Sequence, residues 1–314
     1  MGSPPSFEDI QSAHKRIRDV IHRTPIVTCS TLDVMTGRTL FFKCEHLQRV
    51  GAFKFRGASN VVLGLSDSEA AAGVCTHSSG NHAQALARAA RERGIPSWIV
   101  MPSNAPGIKR RAVEGYGATI IECEPTLDAR EAAASKVMAD TGANFVHPYD
   151  DARIIAGQGT TAVELIEDAG PLDAIVAPVG GGGLMSGTCI AASAMSPKIQ
   201  LIGAEPCGAD DAARSLACGK LIPQTSPDTI CDGLRTSLSE LTFEILQTHL
   251  TGIMTVSDAE TSDAMQLLWE RAKMMVETSS ATVLAAMLQD NCPIPQGARV
   301  GLILTGGNTS RPAG

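Results

Sequence analysis

Four consecutive glycines, Gly180 to Gly183, sit between an apolar run ending at Val179 and a small-residue helical stretch that Leu184 opens. A stretch without side chains leaves backbone N–H groups free to converge on an anion at the positive end of a helix. The pattern is neither the Gly-Lys-Ser/Thr of a nucleotide P-loop nor Gly-x-Gly-x-x-Gly in register, so a phosphate monoester is the expected guest. A flexible turn is the alternative. Lys54 stands between Phe53 and Phe55. An ammonium among apolar rings is costly, and desolvation pushes a lysine toward the neutral amine that forms a Schiff base. A solvated lysine beside core rings is the competing reading. Ser78-Ser79-Gly80-Asn81-His82 offers hydroxyls, an amide and N-terminal helix N–H groups suited to a carboxylate or a polar ring substituent. A plain capping turn has the same composition. Thr305-Gly306-Gly307-Asn308 is another hydroxyl-plus-glycine loop. His77 and His82 read as structural rather than catalytic.

Positioning such loops requires strands that end where they begin. Candidate strands are 40–44, 74–77, 97–101, 119–123, 174–177, 200–204 and 299–304, alternating with amphipathic helical patterns at 81–93, 129–140, 159–168 and 258–276. That alternation predicts parallel strands joined by crossover helices, an α/β fold. Ligands then bind beyond the carboxyl ends of strands, where the tetraglycine, Ser78 and Thr305 loops all lie. Pro148-Tyr149-Asp150-Asp151 is the best exit from a middle segment that begins near Gly73.

Composition excludes several functions. A formal charge of -7 argues against nucleic acid, which needs a basic face. No run of about 18 apolar residues is present, so no segment is expected to span a bilayer. The stretch Phe7 to Arg23 mixes charges where a signal peptide would be apolar. The 9 cysteines contain no Cys-x-x-Cys pair, which fits free thiols in a reducing compartment, the cytoplasm by default.

Taken in order, Ala52-Phe53-Lys54-Phe55-Arg56-Gly57, Ser78-Ser79-Gly80-Asn81-His82-Ala83-Gln84, Gly157-Gln158-Gly159-Thr160, the tetraglycine and Gly306-Gly307-Asn308 resemble the motifs of fold-type II pyridoxal 5′-phosphate (PLP) enzymes. The similarity is to the serine racemase and serine/threonine dehydratase branch, which includes 3-hydroxyaspartate dehydratases, and it runs from about Ser6 to Asn308. The resemblance implies a two-lobed α/β fold, each lobe an open, mostly parallel sheet flanked by helices, with the cofactor in the cleft. Residues 1–72 and 151–314 would form the large PLP-binding domain and 73–150 the small one. It further implies that Lys54 carries the cofactor and acts as the base at Cα, that Phe53 packs on it, and that Asn81 bonds its ring hydroxyl. Gly180, Gly181, Gly182, Gly183 and Leu184 would hold the phosphate. Thr305 would face the pyridine nitrogen, where close relatives usually have Ser. A hydroxyl there is a neutral partner, and it favours elimination over transamination.

The implied reaction is dehydration and deamination of threo-3-hydroxyaspartate, serine or threonine to a keto acid and ammonia. Ser78, Ser79, Gly80, Asn81 and His82 would bind the substrate's carboxylate. Arg130 would pair with a second carboxylate, unless it is a helix-surface arginine. Ser79 also matches the second acid/base of serine racemases, so racemisation by Lys54 and Ser79 is the alternative activity, with a β-replacement synthase further off. Glu205, Ala209 and Asp211 resemble the branch's site for Mg²⁺ (or Mn²⁺ or Ca²⁺), although an acidic helix N-terminus has the same appearance. A homodimer acting on a small amino acid is the expected assembly. One departure stands out: Glu277-Thr278-Ser279-Ser280-Ala281 lacks the Pro and Gly usual after this glutamate, which predicts a reshaped helix start near the pocket.

Overall fold

The computed structural model describes residues 3–105 and 107–309; residues 1, 2, 106 and 310–314, the terminal ones belonging to the segments assigned above to the large domain, lie outside that description. Among the described residues, strands β1 (Ile26–Val27), β2 (Thr39–Cys44), β3 (Val74–His77), β4 (Ser97–Pro102), β5 (Thr119–Cys123), β6 (Asn144–Phe145), β7 (Ala174–Pro178), β8 (Gln200–Pro206), β9 (Gly252–Val256) and β10 (Arg299–Leu304) make two sheets. The larger has the order β1-β2-β10-β7-β8-β9 and the smaller β5-β4-β3-β6. Every pairing is parallel except that of β1 with β2. The central strand β7 is buried at all its positions, as a parallel sheet covered by helices on both faces requires.

All seven strands expected from sequence are present, and the loops that carry chemistry follow β3, β7 and β10 directly. Three more, β1, β6 and β9, are not marked by the sequence pattern. β1 and β6 have 2 residues each, too few for a hydrophobic period to register. The helix expected over 258–276 ends instead at Ala272, because Lys273 takes a left-handed conformation at φ 59°. A separate helix, Thr278–Leu288, then starts after Glu277 and brings Ser279 and Ser280 into its first turn.

Three helices meet at glycines. A Cβ on Gly157 would lie 2.6 Å from Gly57 Cα, and one on Gly187 would lie 2.6 Å from Gly159 N. The helices Lys54–Gly64 and Gly183–Met195 therefore lie in backbone contact with the same long helix, Ala152–Ala169. One of them carries the lysine and the other begins with the last of the four glycines. The Lys54–Gly64 helix also contributes Phe55, Ala58 and Val61 to the apolar cluster that holds Leu86 and Ile99, so Lys54 sits at the seam between the two sheets.

Below that seam lies a fully buried ion network. Arg56 donates from Nε and Nη2 to Glu45, both at 2.8 Å, and from Nη1 and Nη2 to Glu164 at 2.8 and 2.7 Å. Lys43 completes it, donating 2.7 Å to Glu164 and 2.8 Å to the Thr24 carbonyl. All 9 cysteines are free, and among the described residues no helix is long and apolar enough to cross a membrane.

Candidate active site

Lys54 is the first residue of its helix, fixed there by two backbone ties. The Phe53 N–H donates 3.0 Å to the Thr305 carbonyl, and Ala52 bridges Gly306. The lysine Nζ donates 2.8 Å to the Pro148 carbonyl and lies 5.1 Å from the centre of the Phe53 ring. Burial pulls its pKa down to about 8, with the Glu277 carboxylate opposing the shift. An appreciable fraction of the amine is therefore neutral near physiological pH.

The tetraglycine loop is squeezed from both sides. A Cβ on Gly181 would fall 2.3 Å from the Tyr149 ring, on Gly183 2.9 Å from Tyr149 Cβ, on Gly182 2.8 Å from Leu238, and on Gly180 3.0 Å from Leu234 Cα. Only glycine fits. Residues 180–185 are all buried, yet none of their backbone N–H groups has an acceptor among the described residues. Buried, unpaired N–H groups are rare and costly, and at the start of the Gly183–Met195 helix they suit a phosphate. The residues present thus fit the cofactor expected from sequence: an anion cradle, a desolvated lysine and a buried hydroxyl on adjoining segments.

That hydroxyl is Thr305, which lies 2.8 Å from Ser280 Oγ. Asn81, the first residue of its helix, is held from two directions: its amide nitrogen is 3.1 Å from both Glu277 carboxylate oxygens, and its oxygen accepts from Asn308 at 2.8 Å. Burial pushes Glu277 up to about 7. Ser79 has no protein partner for its hydroxyl among the described residues. A Cβ added to its neighbour Gly80 would meet nothing within 4 Å. The N–H groups of Asn81, His82 and Ala83 are likewise unpaired, a second place for an anion. The His82 ring bonds the Val146 carbonyl at 3.1 Å, and burial drops its pKa to about 3. It stays neutral. His147 is neutral too: its Nδ1 accepts from the Tyr149 and Asp150 N–H groups, and burial lowers it to about 4.

Arg130, half-buried on the helix Leu127–Thr141, bonds only the Thr126 carbonyl and pairs with no carboxylate among the described residues. Burial lowers the pKa of His77, the residue just before the Ser78 loop, and the charge of Arg130 adds to that shift. At the end of β8, Glu205 and Asp211 are both fully buried. Glu205 accepts from Ala212 and Ala213 N–H groups at 3.1 and 2.9 Å. Asp211 accepts from Leu238 N–H through Oδ2, while Oδ1 is buried without a partner. Burial raises Glu205 to about 8 and Asp211 to about 6. Among the described residues no cluster of three or more His, Cys, Asp or Glu side chains suits a metal, so a cation here would rest on two carboxylates, the Ala209 carbonyl and water.

Sequence reasoning misses Tyr149 and Leu234 as parts of the cleft, and it marks Glu277 only as the glutamate before a reshaped helix start near the pocket, not as the partner of Asn81. Pro148-Tyr149 reads from sequence only as a segment boundary, and nothing in its composition marks the carbonyl that receives Lys54.

A family profile described as pyridoxal-phosphate dependent enzyme matches residues 17–306. The β-hydroxyaspartate dehydratase of Paracoccus denitrificans (strain Pd 1222) is 52% identical over 304 residues, 97% of this chain and 96% of that protein. The crystal structure of serine racemase from Dictyostelium discoideum superposes with a TM-score of 0.93 at 45% identity, covering 98% of this chain and 99% of that one. The crystal structure of a threonine deaminase from T.th. gives 0.93 at 41%, covering 98% and 100%.

Proposed function

The chain belongs to the family of pyridoxal-phosphate dependent enzymes, and from that premise we propose that it removes water and then ammonia from a small β-hydroxy amino acid, threo-3-hydroxyaspartate or serine and threonine, leaving a keto acid. One observation carries this reading: a desolvated lysine amine and a buried run of unpaired N–H groups share one cleft. When bound, pyridoxal phosphate supplies an aldehyde that condenses with amines and a ring that draws electrons from Cα. Lys54 Nζ would hold it covalently and, as a free amine beside the substrate, would take the Cα proton. The N–H groups of Gly180 to Gly183 and Leu184 would neutralise the phosphate, Phe53 would pack on the ring, and Asn81 would bond the ring hydroxyl. Thr305 presents an uncharged hydroxyl to the ring nitrogen, so no carboxylate holds a proton there. Ser78, Ser79, Gly80 and the N–H groups of Asn81 and His82 receive the substrate's α-carboxylate.

Arg130 binds the second carboxylate of hydroxyaspartate. Its lack of a carboxylate partner among the described residues supports this role, as does the similarity to the Paracoccus dehydratase. Arg130→Ala should lower kcat/KM for threo-3-hydroxyaspartate by about 2–3 kcal/mol, roughly 30- to 150-fold, the size of a charge-assisted bond. Serine turnover should fall less than threefold (~0.6 kcal/mol). A panel of L-serine, D-serine, L-threonine and hydroxyaspartates, scored for keto acid and enantiomer together, measures both. Equal losses on both substrate types would reject the assignment. Ser79, with its unpartnered hydroxyl, supports a second activity: racemisation, with Lys54 and Ser79 serving opposite faces of Cα.

Glu205, Asp211 and the Ala209 carbonyl would hold Mg²⁺, Mn²⁺ or Ca²⁺, a role supported by the unpaired Asp211 Oδ1 and by two buried carboxylates with no ion-pair partner among the described residues. EDTA should lower the melting temperature, and Mg²⁺ at a hundredfold excess over its Kd should restore about 2.7 kcal/mol, or roughly 5 °C. Asp211→Asn should be unresponsive to either addition. A homodimer in the cytoplasm completes the reading, and the exposed Leu47, Trp269 and Met275 offer apolar surface for a partner.

A further inference from the structure

Thr305 can donate only one proton, and the structure decides where it can go. Three contacts converge behind it. Ser280 Oγ lies 2.8 Å from Thr305 Oγ1, 2.9 Å from the Gly306 carbonyl and 2.8 Å from the Gly306 N–H. The Gly306 N–H always donates to Ser280, so the Ser280 proton has two destinations. If it goes to the Gly306 carbonyl, Thr305 must spend its own proton on Ser280 and turns only lone pairs to the cleft. Should it go instead to Thr305, the Thr305 proton is released toward the cleft. The Gly306 carbonyl is not stranded in that second arrangement, because the Glu277 N–H already donates to it at 2.9 Å. Turning the Ser280 proton therefore leaves no buried group unpaired.

We propose that Ser280 is a positioning residue for Thr305: a relay from Gly306 N–H through Ser280 to Thr305 aims the threonine proton at the ring nitrogen and keeps that nitrogen unprotonated. The proposal rests on the pyridoxal phosphate reading of the cleft. Ser280 is completely buried and Thr305 is 4% exposed, so water does not compete for these bonds. Each donor in the chain is polarised by the one behind it. The relay has no acidic member from which the nitrogen could draw a proton. Ser280 comes from the segment where the sequence departs from the Pro and Gly usual after the glutamate, and its place on the first turn of the Thr278–Leu288 helix brings it to Thr305.

The test is the ¹⁵N resonance of ring-labelled pyridoxal phosphate in the holoenzyme, read together with cofactor affinity. The wild-type signal should fall in the hydrogen-bonded, unprotonated range. Ser280→Ala should move it toward free pyridine and weaken cofactor binding about tenfold, the worth of one buried hydrogen bond, and Ser280→Thr should restore both. A wild-type signal at the pyridinium or the unbonded position overturns the relay, as does a Ser280→Ala spectrum identical to wild type. Because the wild-type spectrum alone fixes the direction of the bonds, an unfolded alanine variant does not shield the idea. If wild-type protein takes up no cofactor, the reading of the cleft fails first, and that result is separate from either spectrum.

Discussion

Lys54→Ala should abolish turnover, by at least about 10³-fold, within the 10²–10⁴ that a positioned base supplies, and should also remove the covalent hold on the cofactor. Two roles are lost at once. No other amine replaces it, because the lysine's neutrality comes from its own burial and its direction from the Pro148 carbonyl at 2.8 Å. Lys54→Arg is the informative control. It retains positive charge at the site, but guanidinium does not give up its proton in proteins, so it should be as inactive as alanine. Visible absorbance of the protein-bound cofactor and its fixation to the peptide containing residue 54 by borohydride provide the readout. Retained absorbance and turnover in either variant would remove Lys54 from the chemistry.

The largest effect on stability is expected from Arg56→Met. Among the described residues, removing this guanidinium leaves Glu45 with only the Thr24 hydroxyl at 2.6 Å, and Glu164 with Lys43 at 2.7 Å, both carboxylates being buried. Breaking a buried pair by deleting one partner costs about 3–5 kcal/mol, because the remaining charge stays desolvated. Urea unfolding should register that loss. Arg56→Met with Glu45→Gln should recover part of it, since an amide is far cheaper to bury than an unpaired carboxylate. Additive losses in the double variant would show that the cost arises from packing instead. Cofactor affinity should fall as well, because Arg56 lies on the same helical turn as Lys54 and ties it to Glu45, just after β2, and to the Ala152–Ala169 helix.

The cleft is unevenly legible in the chain. Lys54, Asn81, the tetraglycine and Thr305 are all recognisable, and each stands in a loop or helix start directly after a strand or close to one. Their signals are local: a lysine between rings, glycines where no Cβ fits, hydroxyls at helix starts. Arg56 shows the limit. It is visible only as part of a motif, and its two carboxylate partners lie 11 and 108 residues away. The helix expected over 258–276 fails for a related reason, since its pattern runs on through Lys273, where the backbone turns left-handed and the Met274 N–H bonds back to the Leu268 carbonyl.

Local residue chemistry is therefore enough to specify the fold class, the lysine and the anion-binding loop, because strand alternation, desolvation and the absence of side chains act within a few residues. The partners that give those groups their properties come from distant parts of the chain. Pro148 reaches Lys54 across 94 residues, Glu277 reaches Asn81 across 196, and Asn308 reaches Asn81 across 227. Such contacts follow from the register of parallel strands and the crossing of glycine-faced helices, which no short window of sequence encodes. So the identity of the reactive groups belongs to the linear chain, whereas their protonation, orientation and hydrogen-bond direction arise only once the helices and loops around the two sheets have packed together.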